Sequence, residues 1–217
     1  MNLGPSDPLL LLLNLMAMAI LGGVARQYNW AALRECRPAQ HLFFGSVVVI
    51  ALFWHFQAGI LPGLGFHIMA LTAAMLMMGW RLAILAGALA QVMLVLSGKL
   101  PLVQLGFVIV LKVALPVIFS YVFFLLVDRR LLRNPFVYIL VGGFLNAGFT
   151  HAFADVLLSS VFWLADIHDG GRIWNDYLRY LPLMMFPEGV VNGMFISGMV
   201  VFHTRWLSTF DEDSYFR

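Results

Sequence analysis

A polytopic bundle of transmembrane α-helices is the fold class this sequence predicts, and three observations predict it. Hydrophobic residues fill 62% of 217 positions and charged residues only 11%, too little polar surface to cover a water-soluble domain of this length. The apolar residues fall in runs that approach the roughly 20 residues a helix needs to cross a bilayer. The basic residues gather in short clusters between those runs, where they read as topology signals. A net charge of +2 scattered in this way offers no surface for nucleic acid.

Seven segments are expected within one integral membrane domain over residues 1–217: roughly Pro8–Val24, Leu42–Gln57, Phe66–Met78, Leu82–Leu96, Leu102–Val127, Phe136–Trp163 and Leu178–Trp206. The first run has no preceding Lys or Arg and no convincing cleavage site, so it reads as a retained helix and not as a signal peptide. The third and fourth segments are short. Before them, Gly59-Ile60-Leu61-Pro62-Gly63-Leu64-Gly65 is apolar yet full of helix breakers. Backbone of this kind needs water or protein partners at membrane depth, which predicts a re-entrant or broken, cavity-lining segment.

Orientation follows from the loops. Arg26, Arg34 and Arg37 follow the first segment, Arg81 the third, Arg129, Arg130 and Arg133 the fifth, and Arg205 the seventh. Alternation puts all of them on one side. The other side holds Lys99 and the mixed segment with Asp166, Asp169, Arg172, Asp176 and Arg179. The positive-inside rule then places the N-terminus outside and Asp211-Glu212-Asp213 in the cytoplasm of a bacterial inner membrane. The lone Cys36 lies in a basic loop and has no internal disulfide partner. Gly189, Gly193 and Ser197 recur every fourth residue, as do the pairs Ala83/Gly87 and Gly143/Ala147, forming small-residue ribbons that let helices approach closely.

Ionisable groups within apolar segments cost several kcal/mol unless paired or hydrated, so each calls for a role. His67 opens the third segment directly after the glycine-rich break. It reads either as a ligand facing a cavity or as an imidazole that bonds a neighbouring carbonyl and fixes the break. His151 and Asp155 share one face of the sixth helix at a spacing that lets a carboxylate orient an imidazole, and Asn146 and Thr150 form a second such pair. This face should look into the bundle, for ligation, proton relay or interhelical hydrogen bonding. Glu188 follows Pro187, the pattern of a helix start within a broken segment, with Asn192 one turn on. The carboxylate serves there either as a cap or as a functional acid. The many methionines, Met69, Met75, Met77, Met78, Met184, Met185, Met194 and Met199 among them, read first as adaptable packing and second as soft-ion ligands. No HExxH, CxxC or GxSxG motif is present, and Ser97-Gly98-Lys99 lacks the rest of a phosphate-binding loop.

The order of a glycine-rich entry, Gly65-Phe66-His67-Ile68-Met69-Ala70-Leu71, a short helix ending near Gln91, and a closing Glu188-Gly189 helix resembles the membrane substrate-binding components of energy-coupling-factor cobalt and nickel transporters, the CbiM/NikM type, in a divergent branch. The resemblance runs from the second helix to the C-terminus. It implies a permease component, not an enzyme, that takes a transition-metal ion as substrate, carries no bound organic cofactor, and works with a coupling membrane subunit and cytoplasmic ATPase subunits in membrane lipid. Better-known members bind metal through the N-terminal amine, a histidine at the second position and a later histidine. His67 matches the later one. Asn2 stands at the second position here, so that chelate cannot be assembled as such.

The expectation is therefore a metal ion held in a cavity bounded by the Gly59–His67 break, the sixth helix and the start of the seventh. His67 is expected as principal ligand, His151 and Asp155 as ligand or orienting partner, and Glu188 as a charge-compensating acid. Three rival readings are a bis-histidine haem protein, an intramembrane enzyme using His151 and Asp155 as acid and base, and a structural subunit without ligand.

Overall fold

The computed structural model describes residues 8–216. The start at Met1-Asn2, where the resemblance places part of the family's metal chelate, lies outside them. In chain order the elements are α1 (Pro8–Gln27), a short α2 (Trp30–Glu35), α3 (Arg37–His55), a hairpin of β1 (Ala58–Leu61) and β2 (Leu64–Phe66), and α4 (Leu71–Leu96). There follow α5 (Leu102–Arg130), α6 (Pro135–Leu164), a short α7 (Gly170–Asp176), α8 (Leu181–Phe202) and α9 (Glu212–Tyr215). By length and composition alone, helices α1, α3, α4, α5 and α6 and the α7–α8 segment each qualify to cross a membrane, α4 when its two arms are counted together.

The solvent implied by the surface is lipid. On α1 the side chains of Leu11, Leu12, Leu15 and Met18 are all more than half exposed. By contrast Thr72, Gln91, Asn146, Thr150, His151, Asp155, Glu188 and Asn192 are buried. Apolar outside and polar inside is the arrangement that intramembrane polar groups require.

Helix α4 is folded back on itself. Gly79 adopts φ 79° and ψ 162°, which interrupts the helix and lies in a region essentially reserved for glycine. A straight helix would hold Leu71 and Gly87 about 24 Å apart at about 1.5 Å per residue. Instead a methyl group added to Gly87 would lie 3.3 Å from Leu71 Cδ2. The arms 71–78 and 80–96 therefore run antiparallel, and they correspond to the expected third and fourth segments. Carbonyls freed at the bend accept from the chain end: Ser208 N bonds Met77 O at 2.9 Å and Thr209 Oγ1 bonds Leu76 O at 2.8 Å.

The glycine-rich break is an antiparallel hairpin, Ala58 opposite Phe66 and Leu61 opposite Leu64. Pro62 and Gly63 make the turn, Gly63 with φ 85°, the residues that a turn requiring positive φ at its second central position selects. The hairpin lies over the end of α6, where Phe162 packs against Gly63 and His168 Nε2 is 3.0 Å from Pro62 O.

The ribbons on the late helices close-pack as expected. Added methyl groups would lie 2.9 Å from Phe144 O at Gly189 and 3.0 Å from Phe144 Cβ at Gly193. Gly87 meets Val113 in the same way. One expectation needs correction: Glu188 does not open a helix. Helix α8 begins at Leu181 and runs unbroken through Pro187 to Phe202. The Pro-Glu pair reads like a helix start in sequence, but a preceding helical turn carries Pro187 as an internal residue.

A candidate polar site under the hairpin

The site is built around the start of α4, which has no capping side chain of its own. Ala70 stands at the cap position with φ 56° and offers no oxygen. The cap comes from α8. Glu188 accepts hydrogen bonds from Met69 N at 2.7 Å and Ala70 N at 2.9 Å, and Asn192 Oδ1 accepts from Ala73 N at 2.9 Å. Asn192 Nδ2 in turn donates to Glu188 Oε1 at 2.9 Å. A carboxylate at the positive end of a half-length helix is where the dipole and the free amides favour negative charge.

His151 lies between two carboxylates. Its Nε2 is 3.2 Å from Asp155 Oδ2 and its Nδ1 is 3.6 Å from Glu188 Oε2. Neither ring nitrogen, nor Asp155 Oδ2, nor Ser159 Oγ one turn on, meets a protein partner in hydrogen-bond geometry. Asp155 Oδ1 is anchored by the Tyr177 hydroxyl at 2.8 Å. The Tyr177 ring stacks on Phe66 of β2, with centroids 4.3 Å apart. Thus α6, α8, the hairpin and the segment before α8 are tied together at one point. The second expected pair is interhelical support: Thr150 Oγ1 donates to Asn146 Oδ1 at 3.2 Å, and Asn146 Nδ2 donates to Ser120 O of α5 at 3.1 Å.

His67 sits between β2 and α4, edge-on to Trp54, whose Nε1 donates to Met69 O at 3.2 Å. Its Nδ1 is 3.2 Å from Gly65 O. The carbonyl can only accept, so Nδ1 carries a proton, and in the neutral ring Nε2 keeps its lone pair. His67, His151 and Glu188 line one cavity of 530 Å³, beside Gln57, His55 and Met184. Among the described residues, no three His, Cys, Asp or Glu side chains stand as a ready-made metal nest. Both nitrogens of His151 face carboxylates, and Asp155 is not among the residues that line the cavity.

Sequence reasoning missed Lys112. It lies on a wide π-type turn of α5, Ile109–Ala114, half-buried, and lines a second void of 360 Å³ together with His67, Gln57 and Gln91. The signal was present: one lysine within the apolar run Leu102–Val127.

A helical membrane bundle with an apolar exterior, a half-length helix entering the bilayer and a buried acid–imidazole cluster beside a cavity belongs to the architecture of solute carriers. Residues 6–206 match the family model described as CbiM, cobalt uptake substrate-specific transmembrane region. The chain belongs to that family, and is accordingly a membrane component of transition-metal transport and not an enzyme. Two solved structures share the fold. One, described as a truncated transition metal transporter, aligns with TM-score 0.70 at 13% identity over 93% of this chain and 96% of its own. The other, described as a transition metal transporter, aligns with TM-score 0.62 at 16% identity over 94% of this chain and 89% of its own. No curated protein matches the chain.

Proposed function

We propose that this chain captures a transition-metal ion at the hairpin end of the bundle, with His67 as principal ligand, His151 and Asp155 as a paired ligand and orienting group, and Glu188 as the compensating charge. The observation that carries this reading is the shared cavity of 530 Å³ onto which His67, His151 and Glu188 open. The hydrogen bond from His67 Nδ1 to Gly65 O supports it further, because metal-binding imidazoles commonly fix their second nitrogen on a carbonyl and present the first as ligand. Glu188 is already engaged by two backbone amides, so it supplies field more than coordination.

By the arginine pattern the hairpin end faces the outside and the tail the cytoplasm of a bacterial inner membrane. The ion then enters from the outside, and its release requires movement of the half-length arm of α4 that forms the floor of the site. A coupling membrane subunit and cytoplasmic ATPase subunits supply that movement, since this chain carries no phosphate-binding loop. The ion identity is of the cobalt and nickel kind.

Elemental analysis of the purified chain after incubation with Co2+ or Ni2+ tests the reading. Near-stoichiometric metal is expected in the native chain and a clear loss in the His67→Ala, His151→Ala double variant. Equal stoichiometry in the two would remove the proposed site.

A further inference from the structure

The void of 360 Å³ beside His67 has a chemistry that a bare dication does not match. Among the described residues its polar wall consists of Gln57, Gln91, Gln104, Lys112 and His67, with the exposed Lys99 also lining it, and includes no Asp or Glu. Among the described residues, neither Lys112 nor Lys99 has a carboxylate within ion-pair distance. Asp155 acts on Lys112 only through space, and is itself held by Tyr177 and His151. Gln91 is only 3% exposed, yet its side chain makes no hydrogen bond within the described protein and borders this void.

A half-buried lysine amine and a buried amide facing one space, both without a partner among the described residues, are arranged to receive a group that accepts hydrogen bonds and carries negative charge. The size agrees. A water takes up about 30 Å³ of liquid, whereas sites for organic ligands begin at about 300 Å³. Gln57, His67 and Lys99 also line the cavity that holds His151 and Glu188, so His67 stands in the wall common to both spaces.

Resting on the transition-metal reading above, we infer that the cargo is bound as a metal–carboxylate chelate: His67 Nε2 displaces one water from the metal, while a carboxylate of the accompanying small organic acid is held by Lys112 and Gln91. The chelator supplies coordination that the described residues do not, consistent with the absence of a ready-made nest among them. It also lowers the charge of the cargo, which eases the approach of a dication to a wall lined by two lysines.

Calorimetric titration of the full chain in lipid nanodiscs with Co2+, with citrate and with cobalt(II) citrate separates the possibilities. Cobalt(II) citrate is expected to bind at least about tenfold more tightly than Co2+, since a charge-assisted carboxylate contact is added. The variants Lys112→Gln and Gln91→Leu are expected to remove that advantage; Gln91→Leu leaves Co2+ binding as it was, and Lys112→Gln, which deletes a cation beside the site, leaves it at least as tight. Co2+ binding as tightly as the chelate in the native chain overturns the inference and keeps the metal reading, and this comparison needs no variant to fold. Citrate binding equally with or without cobalt also overturns it. Failure of both cobalt forms to bind overturns the metal reading itself.

Discussion

Glu188 and Ala70 are 118 residues apart in sequence and 2.9 Å apart at Oε1 and N. Through this bond, and its neighbour to Met69, one helix supplies the cap that another lacks. Removal of the carboxylate in Glu188→Ala leaves buried amides at the start of α4 without an acceptor and His151 without one of its two charges. Such losses cost about 3–5 kcal/mol. Glu188→Gln keeps one acceptor oxygen and is expected to cost about half as much. Unfolding in mixed detergent micelles measures both, and equal stabilities for the native and alanine forms would show that the cap is idle.

The bend of α4 rests on Gly79. A methyl group there meets only Ser208 Oγ at 3.9 Å, so space is not limiting. The backbone is, because φ 79° with ψ 162° strains any side chain. Gly79→Ala is expected to lower stability by about 1–3 kcal/mol. Gly198→Ala provides the control: nothing lies within 4 Å and no unusual φ is required, so thermal unfolding of that variant should match the native chain.

Much of this arrangement was legible in the sequence, for identifiable reasons. Lipid as solvent makes apolar runs long and basic loops asymmetric, so the segments and their order emerge from composition alone. The breakers between Gly59 and Gly65 announce non-helical backbone, although only the paired register shows that it is a hairpin. The spacing of His151 and Asp155 fixes their shared face, because a helix turn is local. The partners of Glu188 were not legible: Pro187 carries the same letters whether it opens a helix or lies inside one, and the amides that Glu188 caps are far away in sequence. Lys112 was legible and overlooked, a single charge in a long apolar run that nothing nearby neutralises.

The tail makes a pH-dependent contact. Tyr215 donates to Asp128 Oδ1 at 2.9 Å, and Arg133 grips the same carboxylate through Nε at 3.0 Å and Nη2 at 2.9 Å. Burial, and then the bond to Asp128, hold the Tyr215 phenol above its ordinary value of 10.0. The folded tail therefore keeps its proton more tightly than the free tail does. Its stabilisation is complete below about pH 10 and declines as pH rises beyond that, where the released phenol ionises. Limited proteolysis of the tail across pH 8.5–11, a window set by the phenol's reference value, should show cleavage increasing only in the upper part. Tyr215→Phe should cleave more readily throughout and lose the step.

Tyr177 tests whether Asp155 belongs to the binding centre or only to the scaffold. Its hydroxyl is the one hydrogen-bond donor on Asp155 Oδ1 among the described residues, and its ring is clamped by Phe66 of the hairpin. Tyr177→Phe preserves the stacking and deletes only the donor. Leaving a buried carboxylate oxygen without its bond costs about 1–3 kcal/mol. Asp155 then shifts its demand to His151 Nε2, at 3.2 Å, drawing the imidazole toward itself and away from the cavity shared with His67. If His151 helps to hold metal, its displacement by a re-aimed Asp155 weakens Co2+ binding by about 10–100-fold, the usual cost of disturbing the groups behind a ligand. Titrating Co2+ against the native and phenylalanine forms gives the answer. A variant less stable than native but with unchanged Kd would confine Asp155 and Tyr177 to fastening the hairpin, and would leave His67 to act without that pair.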